Sequence, residues 1–369
     1  MQKPRILVLT AAGRTGMPVA LQLLEEGFPV TAFVHKADQR SERLKAKGAD
    51  IVVGSLTDIN DMRTAMAGAR RAYFCVPHEA GNLKAAAIFT VVAAEQKLEA
   101  VVAMSQWLSN PNHPSVHTRE VWLADRLFEL LPGTAVTFIN PGFFADNEMQ
   151  VLAFAAQFGL LSLPYGSGLN APPSNEDIAR VAAEILARPE GHAGKTYRPT
   201  GPELLSPQDI AAILGKVLGR KVTYRNAPMR MVSKVMRGRL SDYALAGYEQ
   251  YAIDYQKNAF AVNAPTDVVR RITGREAEDF ETVARRYVAT TPEARPSFAI
   301  KFKLLLGMII SMLRPAPRTD PYLALGEFSE RSHVVLSADS PEWRQGHEPQ
   351  ANEPLVATSS TNSPGHYIS

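Results

Sequence analysis

Residues 5–17 read Arg5-Ile6-Leu7-Val8-Leu9-Thr10-Ala11-Ala12-Gly13-Arg14-Thr15-Gly16-Met17. An apolar run, Ile6 to Leu9, enters a turn with two glycines, and a segment of helical period follows over Met17–Glu26. A strand delivered into a glycine turn that opens a helix brings backbone N–H groups and the positive end of a helix to a phosphate. Gly13 lets the backbone approach a pyrophosphate, and Gly16 lets the helix pack closely on the sheet. Thr10, Ala11, Ala12, Gly13, Arg14, Thr15 and Gly16 are therefore the expected dinucleotide cradle, with Thr10 standing where the usual fingerprint has its first glycine. A G-x-x-G turn also serves purely structural ends, so its neighbours have to be weighed with it.

Outward from this turn, short apolar runs alternate with segments of helical period. The runs are Arg5–Thr10, Pro29–Val34, Ile51–Gly54, Ala72–Val76, Ala100–Ser105 and Ala135–Asn140, and amphipathic stretches such as Leu83–Gln96 lie between them. This alternation predicts an α/β fold, a Rossmann-type doubly wound parallel sheet buried on both faces. Right-handed crossovers then leave little freedom in the topology. Beyond residue 141 helices dominate, roughly over Phe144–Gln157, Asn175–Ala187, Pro207–Leu218 and Asp279–Val288. Short strands are expected near Lys195–Pro199 and Val222–Arg225. The expected organisation is a Rossmann core over 1–155 and a smaller, mainly helical lobe over 156–293 that contributes to the same fold. An apolar helix with a tail, lacking structure from Asp339 onward, fills 294–369.

The second run decides between cofactors. NAD-binding folds place an acid at the end of this strand, about 20 residues past the glycines, to bond the ribose 2′-hydroxyl. Here Val30–Val34 ends in His35 and Lys36, with Arg40 nearby and no acid at the strand end. The basic groups suit the 2′-phosphate, with Arg14 as a further cation, so NADP(H) is favoured over NAD(H). As ordinary exposed charges they would need no such role.

Bulk properties narrow the class. The chain has 369 residues, 46% hydrophobic and 21% charged, with 40 basic against 37 acidic residues and a net charge of +3. That balance gives no general case for nucleic-acid binding. The single cysteine, Cys75, excludes an intrachain disulfide and fits a reducing, cytoplasmic setting; its place in the fourth run reads as packing. No His/Cys cluster has zinc-type spacing, so no metal is expected. The start, Met1 to Arg5, leads into the first strand rather than a cleavage site.

Further stretches, in the right order, resemble the NmrA-like, atypical short-chain dehydrogenase/reductase family. Thr10–Gly16 (TAAGRTG) resembles its GATGxxG turn, and Gly54-Ser55-Leu56-Thr57-Asp58 its G-D-L-x-D. Val76-Pro77 matches the ending of its fourth strand, and Met104-Ser105 that of its fifth. Asn140-Pro141-Gly142-Phe143-Phe144-Ala145-Asp146-Asn147 is similar to R-P-G-x-F-x-x-N. Asp177-Ile178-Ala179, and Gly194-Lys195-Thr196-Tyr197 followed by Thr200-Gly201-Pro202, complete the series. The similarity spans about residues 4–290 and is closest to azoreductase and quinone-reductase-like members. It implies that Ser55 lies near the adenine, that Val76, Pro77 and Ser105 lie near the nicotinamide ribose, and that Leu56, Pro141 and Phe143 also belong to the cofactor site.

The resemblance has a gap. The Tyr-x-x-x-Lys pair of ordinary short-chain dehydrogenases is missing from His117-Thr118-Arg119-Glu120-Val121-Trp122-Leu123-Ala124-Asp125. Arg119 stands where many members keep the lysine. It suits ribose hydroxyls or a phosphate, but it transfers protons poorly because it stays charged. Tyrosine-based alcohol oxidation is not expected. Hydride transfer needs no protein nucleophile, and two readings remain open. One is an NAD(P)H-dependent oxidoreductase reducing a small electron-poor acceptor of quinone or azo type. The other is a catalytically silent NADP(H)-sensing regulatory protein that binds a protein partner. For the enzyme, His117, His78 or solvent are candidate proton donors. Ser105 is a candidate to bond a carbonyl or ribose, and Trp107, Phe143 and Phe144 to wall the pocket.

Two segments stand apart. Met229–Arg239 (MRMVSKVMRGR) is basic, and reads as an electrostatic patch or a solvated helix face. Phe298–Leu313 (FAIKFKLLLGMIISML) carries Lys301 and Lys303 inside and Arg314 after it, and is too short to span a bilayer. Its readings are a cover for the core, a homodimer seam, or weak membrane contact through residues 298–314.

Overall fold

Each short apolar run of the N-terminal half becomes a strand of one parallel sheet. The computed structural model describes residues 3–323 and 335–347. The strands are β1 (Ile6–Val8), β2 (Val30–Val34), β3 (Asp50–Val53), β4 (Arg71–Phe74), β5 (Ala100–Met104), β6 (Ala135–Ile139), β7 (Leu160–Leu163), β8 (Thr196–Tyr197) and β9 (Thr223–Asn226). Seven form the main sheet in the order β3-β2-β1-β4-β5-β6-β8. All its pairings are parallel. The order reverses beside β1, which pairs with β2 on one side and β4 on the other. Ligands of doubly wound sheets bind at such a switch point, beyond the carboxyl ends of the strands.

The period-two alternation of β1 sorts its side chains to opposite faces. Ile6 and Val8 pack with Val19 and Leu23 of helix Gly16–Glu25 and with Ile178 and Val181 of helix Asn175–Ala187. Leu7 and Leu9 pack with Met62, Phe89 and Phe128, from helices Ile59–Met66, Asn82–Gln96 and Val116–Glu129. Helix Asn175–Ala187 and β8 lie beyond residue 155 yet complete this layer, so the sheet draws on both halves of the chain.

A second core, around Trp107, Phe143, Tyr165, Tyr255 and Leu214, fills the smaller lobe. There β7 and β9 pair in parallel, and helices Pro207–Leu218, Asp242–Gln256 and Phe280–Thr290 pack around them. Three local expectations change. Phe144–Gln157 is not one helix but two, Ala145–Glu148 and Leu152–Phe158, with a 3-10 turn between. Helix Asp242–Gln256, capped by Ser241, stands where none was expected. Residues 339–347, expected to lack structure, carry helix Pro341–Gln345, whose Trp343 is buried and donates from Nε1 to the Trp107 carbonyl at 2.8 Å. The buried tryptophan explains the difference: a single large aromatic anchors a polar segment to the second core.

Helix Phe298–Leu313 forms as its pattern predicts, but none of its residues is fully buried. No helix among the described residues is long and apolar enough to cross a membrane.

Candidate active site

The glycine turn is fixed by contacts that leave no room for side chains. The Gly13 N–H donates to the Thr10 carbonyl at 2.7 Å. A β-carbon on Gly13 would lie 2.8 Å from that oxygen, and one on Gly16 only 2.4 Å from it. Gly16 is thus required by the approach of its helix to the turn. Thr10 takes the left-handed backbone conformation, φ +46°, that a first glycine would adopt without strain. Its hydroxyl donates to the Cys75 carbonyl at 2.8 Å, which ties the side chain to the segment after β4. Helix Gly16–Glu25 has neither a side-chain N-cap nor an acid in its first turn. Its leading N–H groups and positive end therefore fit the diphosphate that the turn's sequence implies.

At the end of β2, His35 and Lys36 are exposed. Arg40 reaches back across the turn, with its guanidinium 3.2 Å from the Ala12 carbonyl. Asp38, four residues past the strand, is already committed. It caps helix Gln39–Ala46 through the N–H groups of Arg40 and Ser41, and takes the Arg40 guanidinium at 2.7 Å. That guanidinium holds the Asp38 carboxyl below its usual range. At the end of β3, the Ser55 N–H donates to Asp61 at 2.8 Å and its hydroxyl lies 3.1 Å from that of Thr57.

From the turn a cleft of about 990 Å³ runs along the ends of β4, β5 and β6. It brings together Thr15, Val76, Ser105, His117, Pro141 and Phe143 of the expected site. Its far walls come from helices Met229–Met236 and Phe298–Leu313. Arg119 is not among the lining residues. It is buried, and its guanidinium donates to the carbonyls of His113 and Pro114 at 2.7 and 3.2 Å. Pro77 is exposed beside the lining residue Val76.

Residues 10–189 match the NAD(P)H-binding family. The chain carries an NAD(P)H-binding domain on a fold shared with NmrA-like, atypical short-chain dehydrogenase/reductase proteins. It is 27% identical over 291 residues to the NAD(P)H azoreductase of Xenophilus azovorans, covering 77% of this chain and 98% of that protein. The NADPH-dependent quinone oxidoreductase of Escherichia coli, solved with NADPH, superposes with a TM-score of 0.66 at 18% identity, over 76% of this chain and all but a fraction of that one, 99%. NmrA, a negative transcriptional regulator solved with NADP, superposes with a TM-score of 0.62 at 20% identity, over 77% of this chain and 95% of that one.

Two sets of polar groups at the ends of β4 and β5 face or back the cleft beside the glycine turn. His117 and His78 stack at 3.7 Å, and burial pushes both imidazoles down, His78 to about 4 and His117 well below its ordinary range with help from its neighbour. Both are neutral near pH 7. The His117 Nδ1 faces the Asn82 amide at 3.3 Å, an amide donor that assigns the ring proton to Nε2. The second set is Ser105 with Asp125. The Ser105 hydroxyl donates to the Asp125 carboxyl at 2.6 Å, and Ser109 donates to the same oxygen at 3.2 Å. Burial raises the Asp125 carboxyl to about 7, against the lowering effect of the two serines.

Asp125 escaped the sequence reading although its position carried a signal. It lies seven residues after Thr118 and three before Phe128, both on the buried face of helix Val116–Glu129. An acid on such a face is rare without a partner. Gln106 and Tyr251, bonded to each other at the cleft wall, carried no signal, because Tyr251 sits on the helix that was not foreseen. Among the described residues no group of three His, Cys, Asp or Glu side chains is placed to hold a metal.

Proposed function

We propose that the chain is an NADPH-dependent reductase of a small, apolar, electron-poor acceptor such as a quinone or azo compound. The observation that carries this reading is the continuity of the site. One cleft starts at Thr15 on the glycine turn, passes Ser105 and Phe143, and continues as a mainly apolar chamber large enough for an aromatic acceptor. The name of the azoreductase relative supports the class of acceptor. Its amino acids are matched over nearly its whole length, 98%.

The parts divide the work. The amides of the turn and the mouth of helix Gly16–Glu25 hold the diphosphate. Arg40, tethered by Asp38 beside Ala12, takes the 2′-phosphate with His35 and Lys36, which favours NADPH. When bound, the dinucleotide supplies a hydride. Met104, Pro141 and Phe143 line the cleft and exclude water from the acceptor. Ser105 holds a proton on its hydroxyl at the cleft wall, and the Asp125 carboxyl behind it replaces that proton when it leaves. Hydride and one proton together convert a quinone to its hydroquinone, with both carbonyls becoming hydroxyls, and Asp125 recovers its proton from solvent. His117, held neutral, bonds the acceptor rather than acidifying it.

The test is NADPH oxidation by the purified chain with a panel of quinones and azo dyes, beside a Gly13→Asp control. Turnover well above the control is expected. Tight NADPH binding with no turnover on any acceptor would replace this reading with that of a silent NADP(H) sensor.

A further inference from the structure

Helix Phe298–Leu313 is apolar on two opposite faces. Its inner face, with Leu304, Met308 and Ser311, closes the cleft. On its outer face Phe298, Phe302, Leu305, Ile309 and Leu313 recur at helical spacing and form one continuous stripe. These side chains are 85%, 58%, 40%, 48% and 82% exposed. Packing over the cleft accounts for the inner residues and leaves the outer stripe in water. A stripe of this size on one surface marks an interaction site.

The charge around the stripe selects the partner. Lys301 is exposed beside it, and Lys303 and Arg314, exposed as well, stand at the rim where the helix meets the cleft. The neighbouring helix Met229–Met236 is bound to it through Lys234, which donates to the Met312 carbonyl at 2.9 Å, and Arg237 donates to the Pro315 carbonyl at 2.6 Å. The sequence contains no Asp or Glu over residues 220–241 or 294–319, in a chain whose two signs otherwise nearly balance. A second copy docked across a twofold axis would set these cations against their own equivalents. An anionic lipid surface instead complements them, while taking up the apolar stripe below its headgroups.

We infer that this face docks on an anionic bilayer, with helix Phe298–Leu313 lying in the interfacial plane. The helix is 16 residues long and its axis spans about 24 Å, so it lies along the surface without crossing it. Lysines on its flanks extend to the headgroups while their stems cover the apolar stripe. Because the inner face of the same helix lines the cleft, the docked protein holds its acceptor chamber against the lipid. Resting on the reductase reading, the substrate class narrows to lipophilic acceptors dissolved in the membrane.

The experiment is flotation of the full chain with phosphatidylcholine vesicles, with and without phosphatidylglycerol. Binding to the anionic vesicles, release by salt, and little binding to the neutral ones are expected. Lys301→Gln and Lys303→Gln should each weaken binding by about fivefold, the effect of one cation near a charged surface. Phe302→Glu combined with Ile309→Glu should abolish it while NADPH binding and reduction of a water-soluble quinone persist, since neither residue lines the cleft. A full chain that stays in solution with anionic vesicles overturns the inference. So does a dimer in sedimentation analysis that Ile309→Glu dissociates, which would make the stripe a homodimer seam. Flotation is read without substrate, so a protein that floats but turns over no acceptor refutes the reductase reading alone.

Discussion

Replacing Asp125 with asparagine separates its electrostatic role from its shape. Asparagine keeps an oxygen for the Ser105 hydroxyl, 2.6 Å away, and for that of Ser109, 3.2 Å away, but it does not ionise. Burial raises the carboxyl from an ordinary 3.8 to about 7 in the folded chain. That displacement corresponds to about 4 kcal/mol, an upper figure because water entering a strained site relieves part of it. The sign follows from which state binds the proton. Below about pH 4 the carboxyl is protonated in folded and unfolded chains alike, and its contribution is complete. Between about pH 4 and pH 7 only the folded chain holds the proton, so stability falls as pH rises. Above about pH 7 the folded chain carries a buried carboxylate and the loss is full. The stability of Asp125→Asn relative to the wild type should therefore climb with pH, from near zero or slightly negative around pH 4 to a gain of a few kcal/mol around pH 8. Urea unfolding of both proteins at several pH values measures this difference. Other buried acids, such as Glu148, are common to both proteins and cancel. In the same variant the turnover of a quinone should drop by at least about tenfold, because the proton behind Ser105 is gone. A stability difference that stays flat across the pH range, or a variant with full turnover, would refute the assignment of a buried protonated acid at this point.

Gly16→Ala places a β-carbon 2.4 Å from the Thr10 carbonyl, so it should cost roughly 1–3 kcal/mol of stability and sharply weaken NADPH binding, read by thermal unfolding and titration. Arg40→Ala should weaken NADPH by roughly tenfold or more while leaving NADH nearly unchanged; equal losses would remove the 2′-phosphate from its role. Burial holds His117 well below its ordinary range, so His117→Gln should leave the pH profile of turnover between pH 6 and 8 without a new inflection, as steady-state rates would show.

The Rossmann sheet was legible because its inner strands, β1, β2, β4 and β5, are buried almost throughout, while β3 at the edge is exposed at both ends. A fully buried strand needs an unbroken apolar run, and the six runs of the first half became β1 to β6 with ends shifted by a residue or two. The helices with capping serines, Asn175–Ala187 after Ser174 and Pro207–Leu218 after Ser206, were equally plain. Helix Asp242–Gln256 was not, although Ser241 caps it in the same way. It is packed on several sides, with Tyr243, Leu245, Ala252 and Tyr255 all buried, so it shows no single apolar stripe for periodicity to detect. That loss carried others with it, since Tyr248 and Tyr251 on this helix form part of the cleft wall.

Thr10 shows where reading by pattern stops. By pattern it is a glycine lost from the fingerprint, and so a weakness of the match. By conformation it does the glycine's job: the backbone stays left-handed at φ +46°, a position that costs a β-branched residue of order 1–3 kcal/mol. The bond from its hydroxyl to the Cys75 carbonyl, at 2.8 Å, returns part of that cost and locks the turn to the segment following β4. The same threonine thus strains the turn and anchors it. Neither half of that balance is visible in the string Thr10-Ala11-Ala12-Gly13, because Cys75 lies 65 residues away and comes beside it only through the pairing of β1 with β4.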